Sequence, residues 1–212
     1  MNEECSRGVG QYDNEYRSCA CFWGTEPGKF VRLLVAESAP RTVLDMGAGE
    51  GKNAIFLAQR GATVTAIECS EPALANFRKR LRELDEVVKQ RITIRFGDVR
   101  EYKVVTRYDA VIAYGLLHCL PTVSDAERVV ELMKRSTVLG GYNVVVTFTP
   151  NLPVPSVQSY LHPTLLDPTQ LLTWYANWDI RAFEEGVIEE THPTSREVHM
   201  HSLCRLLAIK VK

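Results

Sequence analysis

The stretch Leu44-Asp45-Met46-Gly47-Ala48-Gly49-Glu50-Gly51-Lys52-Asn53 decides how the rest of the 212-residue chain is read. Thr42-Val43-Leu44-Asp45-Met46 is a short apolar run closed by glycines, which reads as a buried strand. Asn53 to Arg60 has helical spacing, through Ile55, Phe56 and Ala58, and stops at Gly61. Glycines between a strand and a helix allow φ > 0 and let a ligand approach the backbone closely. In open α/β sheets, ligands bind at this place, the carboxyl end of a central strand.

Downstream, Ala62 to Ile67 is β-rich and forms a second strand, and Pro72 opens a long charged helix to about Val88. Ile92 to Phe96 alternates as a third strand. Tyr108 to Tyr114, apolar at nearly every position, is a fourth strand covered on both faces. Ser124 caps a helix through Arg135, and Gly140-Gly141 turns into a fifth strand, Tyr142 to Phe148. Upstream, residues 1–24 are polar with interspersed aromatics, and Phe30 to Ala36 is a short amphipathic helix ending before Pro40. Past Pro150, prolines mark an irregular connection. Leu165 to Tyr175 then reads as a helix, and Trp178–Phe183 and Val198–Ile209 as the two strands of a terminal hairpin. This order predicts an α/β fold, a doubly wound, mostly parallel sheet with a C-terminal antiparallel hairpin. One domain is expected over 1–212, with an N-terminal lid segment (1–30), a ligand-binding core (40–150) and substrate-side elements (151–212).

Three ligands compete for the glycine loop. A dinucleotide fold requires G-x-G-x-x-G, but the glycines here fall at 47, 49 and 51. A phosphate-cradling P-loop requires G-x-x-x-x-G-K-[ST]; with Gly51-Lys52 aligned, Met46 and Asn53 occupy the other two key positions and both fail. S-adenosylmethionine (SAM) carries a sulfonium, an α-ammonium and an α-carboxylate, and no phosphate. Asp45 suits its positive groups, and backbone N–H groups at a helix start can receive its carboxylate. Glu68, 21 residues after Gly47, ends the second strand, where an acid can accept from both ribose hydroxyls. Asp98, after the third strand, can accept from the adenine amine while the next backbone N–H donates to the ring. Alone, each acid reads as a surface loop residue. At three consecutive strand ends beside a glycine loop, they read as one site.

These residues resemble class I SAM-dependent methyltransferases: Val43 to Gly51, then Glu68, Gly97-Asp98-Val99 and Tyr108-Asp109-Ala110-Val111-Ile112, over roughly residues 40–150. Within the class the chain is most similar to the tellurite-resistance and thiopurine-type small-molecule branch. Gly51 to Ala58, Gly61 to Val64, Trp178-Asp179-Ile180 with Glu184-Glu185, and His192 with Leu206 to Lys210 carry that likeness. The resemblance implies a Rossmann-like, seven-stranded sheet and SAM as cofactor. It implies a cofactor site of Asp45, Gly47, Ala48, Gly49, Asn53, Glu68, Cys69, Asp98, Val99 and Tyr114, with Ala48 where the family often has Cys. It also implies methyl transfer to a small-molecule acceptor by in-line displacement. The alternatives are a SAM-binding regulator or scaffold without turnover, and an NAD-linked oxidoreductase.

The acceptor is expected at the ends of the fourth and fifth strands. Tyr114-Gly115-Leu116-Leu117-His118 lacks the polar residue and paired prolines with which amino-directed DNA methyltransferases grip a base, which argues against nucleic acid. His118 and Tyr16 are the candidate catalytic residues. His118 is either a general base with a pKa near neutrality or a packed histidine in a helical turn. Tyr12, Trp23 and His118 are the candidate substrate contacts, with the aromatics forming a lid over the methyl group or packing in the ordinary way. His199 and His201 share a strand face without an evident third ligand, so no metal is expected.

Composition narrows the setting. Apolar residues make up 45% and charged residues 24%, the proportions of a globular protein. A net charge of −1 creates no field for nucleic acid or anionic lipid, and Arg78 to Arg82 reads as a solvated helix face. No apolar run approaches the ~18 residues of a membrane span, and the N-terminus lacks a signal-like apolar region. A cytoplasmic monomer or homodimer is therefore expected, with no membrane partner. The six cysteines form no C-x-x-C pair and are expected as free thiols, although Cys19-Ala20-Cys21 leaves a redox or metalloid-binding role open.

Overall fold

The computed structural model describes residues 12–158, 162–193 and 197–212; residues 1–11 of the expected lid segment lie outside these. One sheet runs in the order β3-β2-β1-β4-β5-β7-β6. Its strands are β1 (Thr42–Met46), β2 (Thr63–Glu68), β3 (Ile92–Phe96), β4 (Tyr108–Tyr114), β5 (Thr137–Phe148), β6 (Asp179–Glu190) and β7 (His199–Ile209). The first five pair in parallel. β7 enters antiparallel between β5 and β6. The helices are α1 (Asp13–Ser18), α2 (Lys29–Glu37), α3 (Lys52–Gln59), α4 (Glu71–Arg82), α5 (Glu86–Lys89), α6 (Val123–Arg135) and α7 (Pro168–Trp174). No helix among the described residues is long and apolar enough to cross a membrane.

The two-residue period of the strands feeds two cores. In β4, Ala110 and Ile112 pack with residues of α2, α3 and α4, among them Leu34, Leu57 and Phe77. Val111 and Ala113 pack on the other face with residues of α6 and α7, among them Val129, Met133 and Leu171. β1 divides the same way, Val43 against Leu44 and Met46. The chain moves outward to β2 and β3, then crosses back to β4 beside β1. The order therefore reverses between β1 and β4 and opens a crevice at their carboxyl ends.

Several boundaries differ from the sequence expectation for local reasons. The charged helix does not run from Pro72 to about Val88: α4 stops at Arg82, and Asp85 takes an extended conformation (φ −61°, ψ 146°) from which α5 starts. Thr122 rather than Ser124 caps α6, its Oγ1 accepting from the Asp125 N–H at 3.1 Å. Gly140-Gly141 lies inside β5 rather than before it. Gly140 (φ 76°) lies in an irregularity there, across which the register with β4 shifts from Tyr108↔Thr137 to Ala110↔Tyr142. α7 begins at Pro168, where Asp167 accepts from the Thr169 N–H at 2.8 Å. β6 continues past Phe183 to Glu190, through a polar run that carries little apolar signal.

Candidate functional site

A cavity of about 200 Å³ occupies the β1/β4 crevice, against about 10 Å³ for the next cavity found among the described residues. Gly47, Ala48 and Gly49 form its floor, with Gly47 (φ 68°) and Gly49 (φ 54°) in the left-handed region that glycine adopts without strain. Gly51 is also left-handed (φ 79°) and serves packing as well: a Cβ there would stand 2.1 Å from the Phe77 ring. The loop's shape is held internally, since the N–H groups of Gly47 and Ala48 both donate to the Ile67 carbonyl, at 2.9 and 3.0 Å.

Glu68 and Cys69 line the cavity next. Glu68 Oε1 accepts from the N–H groups of Cys69 and Ser70, each at 2.8 Å, and Oε2 from the Gly49 N–H at 2.8 Å. A carboxylate offers about four acceptor sites. Those three bonds and the Cys69 thiol, which also hydrogen-bonds this carboxylate, already draw on all four, so a pair of ligand hydroxyls would have to displace some of them. Burial pushes the Glu68 pKa up despite these bonds. Asp45 does not line the cavity. It lies 1% exposed behind the loop, with Oδ2 unpartnered. Burial, reinforced by the Glu68 charge, lifts its pKa to about 7. Asp98 and Val99 line the far side with Gly97. Asp98 accepts from the Arg100 N–H at 2.8 Å and holds its guanidinium at 2.5 Å, so any ligand amine shares this carboxylate with Arg100.

The N-terminal segment roofs the cavity. Tyr12, Tyr16 and Trp23 all line it, and the Trp23 indole N–H donates to the Tyr16 hydroxyl at 3.1 Å. Glu50 Oε1 fixes this roof, accepting from the Cys21 N–H at 2.7 Å and from the Asn76 amide at 2.9 Å. Lys52 Nζ donates to the Trp23 carbonyl at 2.9 Å. Asn53, expected at the cofactor, does line the cavity, but its Oδ1 accepts from the Gly28 N–H at 2.9 Å. Tyr114 lines it from the end of β4, so close to Gly28 that a Cβ there would lie 2.1 Å from the Tyr114 ring. Sequence reasoning missed Glu50 and Lys52 because they sit inside a ligand-loop motif yet bind protein.

A family description for tellurite resistance protein TehB matches residues 31–202. The chain belongs to the TehB family. This TehB-family chain is 26% identical over 169 residues to a Haemophilus influenzae protein named probable S-adenosyl-L-methionine-dependent methyltransferase TehB, covering 76% of this chain and 55% of that one. It is 28% identical over 177 residues to a protein of Eikenella corrodens named hemagglutinin 1, covering 80% and 55%. It thus spans about half the length of these curated relatives. The crystal structure of Haemophilus influenzae TehB superposes with a TM-score of 0.74 at 20% identity, over 96% of this chain and 67% of that one. The glycopeptide N-methyltransferase MtfA in complex with SAM superposes at 0.65 and 20% identity, over 87% and 95%. At these identities the solved structures establish the fold, the Rossmann-like sheet the resemblance implied.

The β4–β5 end of this TehB-family chain's cavity is lined by His118, Phe148 and Glu190. The His118 ring stacks on Phe148 at 3.9 Å, and its Nδ1 lies 3.4 Å from the Phe148 N–H, which donates to it. Burial drives the His118 pKa down to about 3. The ring is therefore neutral near pH 7 and weakly basic, unlike the near-neutral general base read from its position. Burial and Glu68 push the Tyr16 hydroxyl above the usual tyrosine range, so it stays protonated. The sequence shows no third ligand beside His199 and His201. The fold supplies candidates, because the unforeseen length of β6 places Glu190 opposite His199 and returns His192 to the same spot.

Proposed function

We propose that the chain binds SAM along the carboxyl ends of β1, β2 and β3 and transfers its methyl group to a small molecule admitted beside β4 and β5. The observation that carries this reading is a single cavity joining the Gly47–Gly49 turn, the Glu68 carboxylate and the Asp98 loop under an aromatic roof. The residues fit a cationic ligand without phosphate. Asp45 Oδ2 is buried and unpartnered behind the loop, and Glu68 adds a second acid. The loop's lysine, Lys52, is bonded to the Trp23 carbonyl at 2.9 Å. The name of the Haemophilus influenzae relative and the SAM complex of MtfA support the choice of cofactor.

When bound, SAM supplies a methyl carbon already activated by positive sulfur. The chain's own task is alignment and exclusion of water, effects that supply about 7–11 kcal/mol in well-oriented reactions. In this reading Gly47, Ala48, Gly49, Asn53, Glu68, Cys69, Asp98, Val99 and Tyr114 hold the cofactor, and Asp45 adds a negative charge from behind. Tyr12, Tyr16 and Trp23 close the roof over the acceptor. His118 forms a neutral wall. With a ring this weakly basic, the acceptor is one that needs no strong base, such as a thiolate or a metalloid oxyanion.

Calorimetry with SAM and with NAD tests the cofactor: SAM binds, NAD does not. Glu68→Gln weakens SAM binding about 10- to 100-fold, as expected for hydrogen bonds to a charged group. Methyl-labelled SAM is then offered with thiols, phenols, amines, tellurite and selenite, and label is expected in the thiol or oxyanion products. Preference for NAD would sink the reading. SAM binding with no labelled product would sink turnover and leave a binding protein.

A further inference from the structure

The register of β6 with β7 sets Glu190 opposite His199 and Ile188 opposite His201. Side chains at alternate positions share a face, and Ile188 and Glu190 both line the cavity. His199 and His201 therefore stand on the cavity side of the sheet. His192, just past β6, folds back to join them. One ligand atom each from Glu190, His192 and His199 lies within 4.8 Å of the other two. The three histidines are 8%, 7% and 6% exposed for His199, His192 and His201.

Three polar atoms of this group make no hydrogen bond, although the Lys52 charge acts on Glu190. Glu190 Oε2, His199 Nε2 and His201 Nε2 are all buried without a hydrogen bond. A protein rarely converges three such atoms unless something joins them. The tautomer of His199 is also set: its Nδ1 lies 3.1 Å from the Glu197 carbonyl, which can only accept. Nδ1 therefore carries the proton, and Nε2 presents its lone pair, the arrangement of a metal-ligating histidine held from behind. His192 is held by the Gln158 amide at 3.1 Å, and that amide can present oxygen or nitrogen to suit either tautomer. The surroundings are aromatic. Phe22 stacks on His192 at 4.6 Å and Phe148 on His201 at 4.2 Å.

We infer that Glu190, His192 and His199 bind a divalent cation of the zinc class at the acceptor end of the cavity. Two imidazoles and one carboxylate are a nitrogen-rich set that suits zinc and its neighbours, whereas calcium and magnesium require oxygen. Tetrahedral ligands about 2.0–2.1 Å from zinc stand roughly 3.3 Å apart, so side-chain rotation closes the present spacing. His201 Nε2, 3.9 Å from Glu190 Oε2, is placed to hydrogen-bond the coordinating carboxylate. Three protein ligands leave one position open, and Glu190 turns that position toward the cavity. Only this last point rests on the methyl-transfer reading; metal binding does not.

The test strips the full chain with a chelator and titrates it with cobalt(II) in the absence of SAM. One equivalent should bind with visible ligand-field bands, without a sulfur-to-metal charge-transfer band, and zinc should displace it. X-ray absorption of the zinc form should show two imidazoles and oxygen, and no sulfur. His199→Gln should weaken cobalt binding at least tenfold while SAM affinity stays within twofold. Should that variant fail to fold, Glu190→Gln carries the same test for the metal. Absent bands, sulfur ligation through Cys19 and Cys21, or variants that bind cobalt like the parent would each overturn the site. A chain that binds cobalt but not SAM would refute the cofactor and leave the metal standing.

Discussion

At the scale of single residues, the site is governed by how much charge burial tolerates. Asp45 was legible as an acid at a strand end, but its position behind the loop was not, because only packing decides which side of the backbone closes over it. That burial has a measurable consequence. The Asp45 carboxyl titrates at about 7 in the fold and near 3.9 in an unfolded chain. The folded state thus holds an extra proton between those values, and the unliganded protein loses stability as pH rises from about 4 through 7. Asp45→Asn removes this penalty, so its unliganded form should melt above the parent at pH 8. For SAM the sign is opposite, because a cation prefers the ionised acid. Affinity should be about five- to tenfold weaker at pH 6 than at pH 7.5 in the parent and flat in Asp45→Asn. Calorimetry across that range checks it, and a slope that survives in the variant would remove Asp45 from the site. Likewise, Asp98 could be read from its place after β3, but not its sharing with Arg100, which the extended bend at Asp98 creates.

Among the elements, strands with two apolar faces declared themselves, and so β1 and β4 were readable to the residue. β6 was not, because a strand at the sheet edge with Glu184-Glu185-Gly186 in it has neither alternation nor apolar density. Its unread half carries Glu190, which is why the histidine cluster stayed hidden. The roof was foreseen as aromatic, yet its fastening was not. Glu50 reaches Cys21 and Asn76, contacts spanning 29 and 26 positions of sequence. Glu50→Ala should therefore loosen residues 12–27 without disturbing the sheet. Limited proteolysis in that segment should quicken several-fold, and far-ultraviolet dichroism should not change. Unaltered cleavage would mean that the aromatic contacts of Tyr12, Phe22 and Trp23, with the Lys52 and Asn76 bonds, hold the roof without Glu50.

For the molecule as a whole, the cavity touches β2, β4, β5, β6, β7 and the N-terminal segment, so a ligand there bridges both halves of the sheet. Ligand binding should then stabilise the entire fold. At a concentration of 100 times Kd the gain is about 2.7 kcal/mol. For a chain of this size that corresponds to a rise of roughly 5–11 °C in Tm. Thermal unfolding with SAM should show one transition moving upward, and NAD should leave it in place. Two separating transitions would show that the halves melt independently. The terminal hairpin has a consequence of another kind, for synthesis. Among the described strands, β6 touches the sheet only through β7, which follows it in the chain. As the nascent polypeptide leaves the ribosome, β1 to β5 can assemble, while β6 waits with both edges bare until β7 slides in beside it. Its glutamates then act as guards against premature association with neighbouring nascent chains.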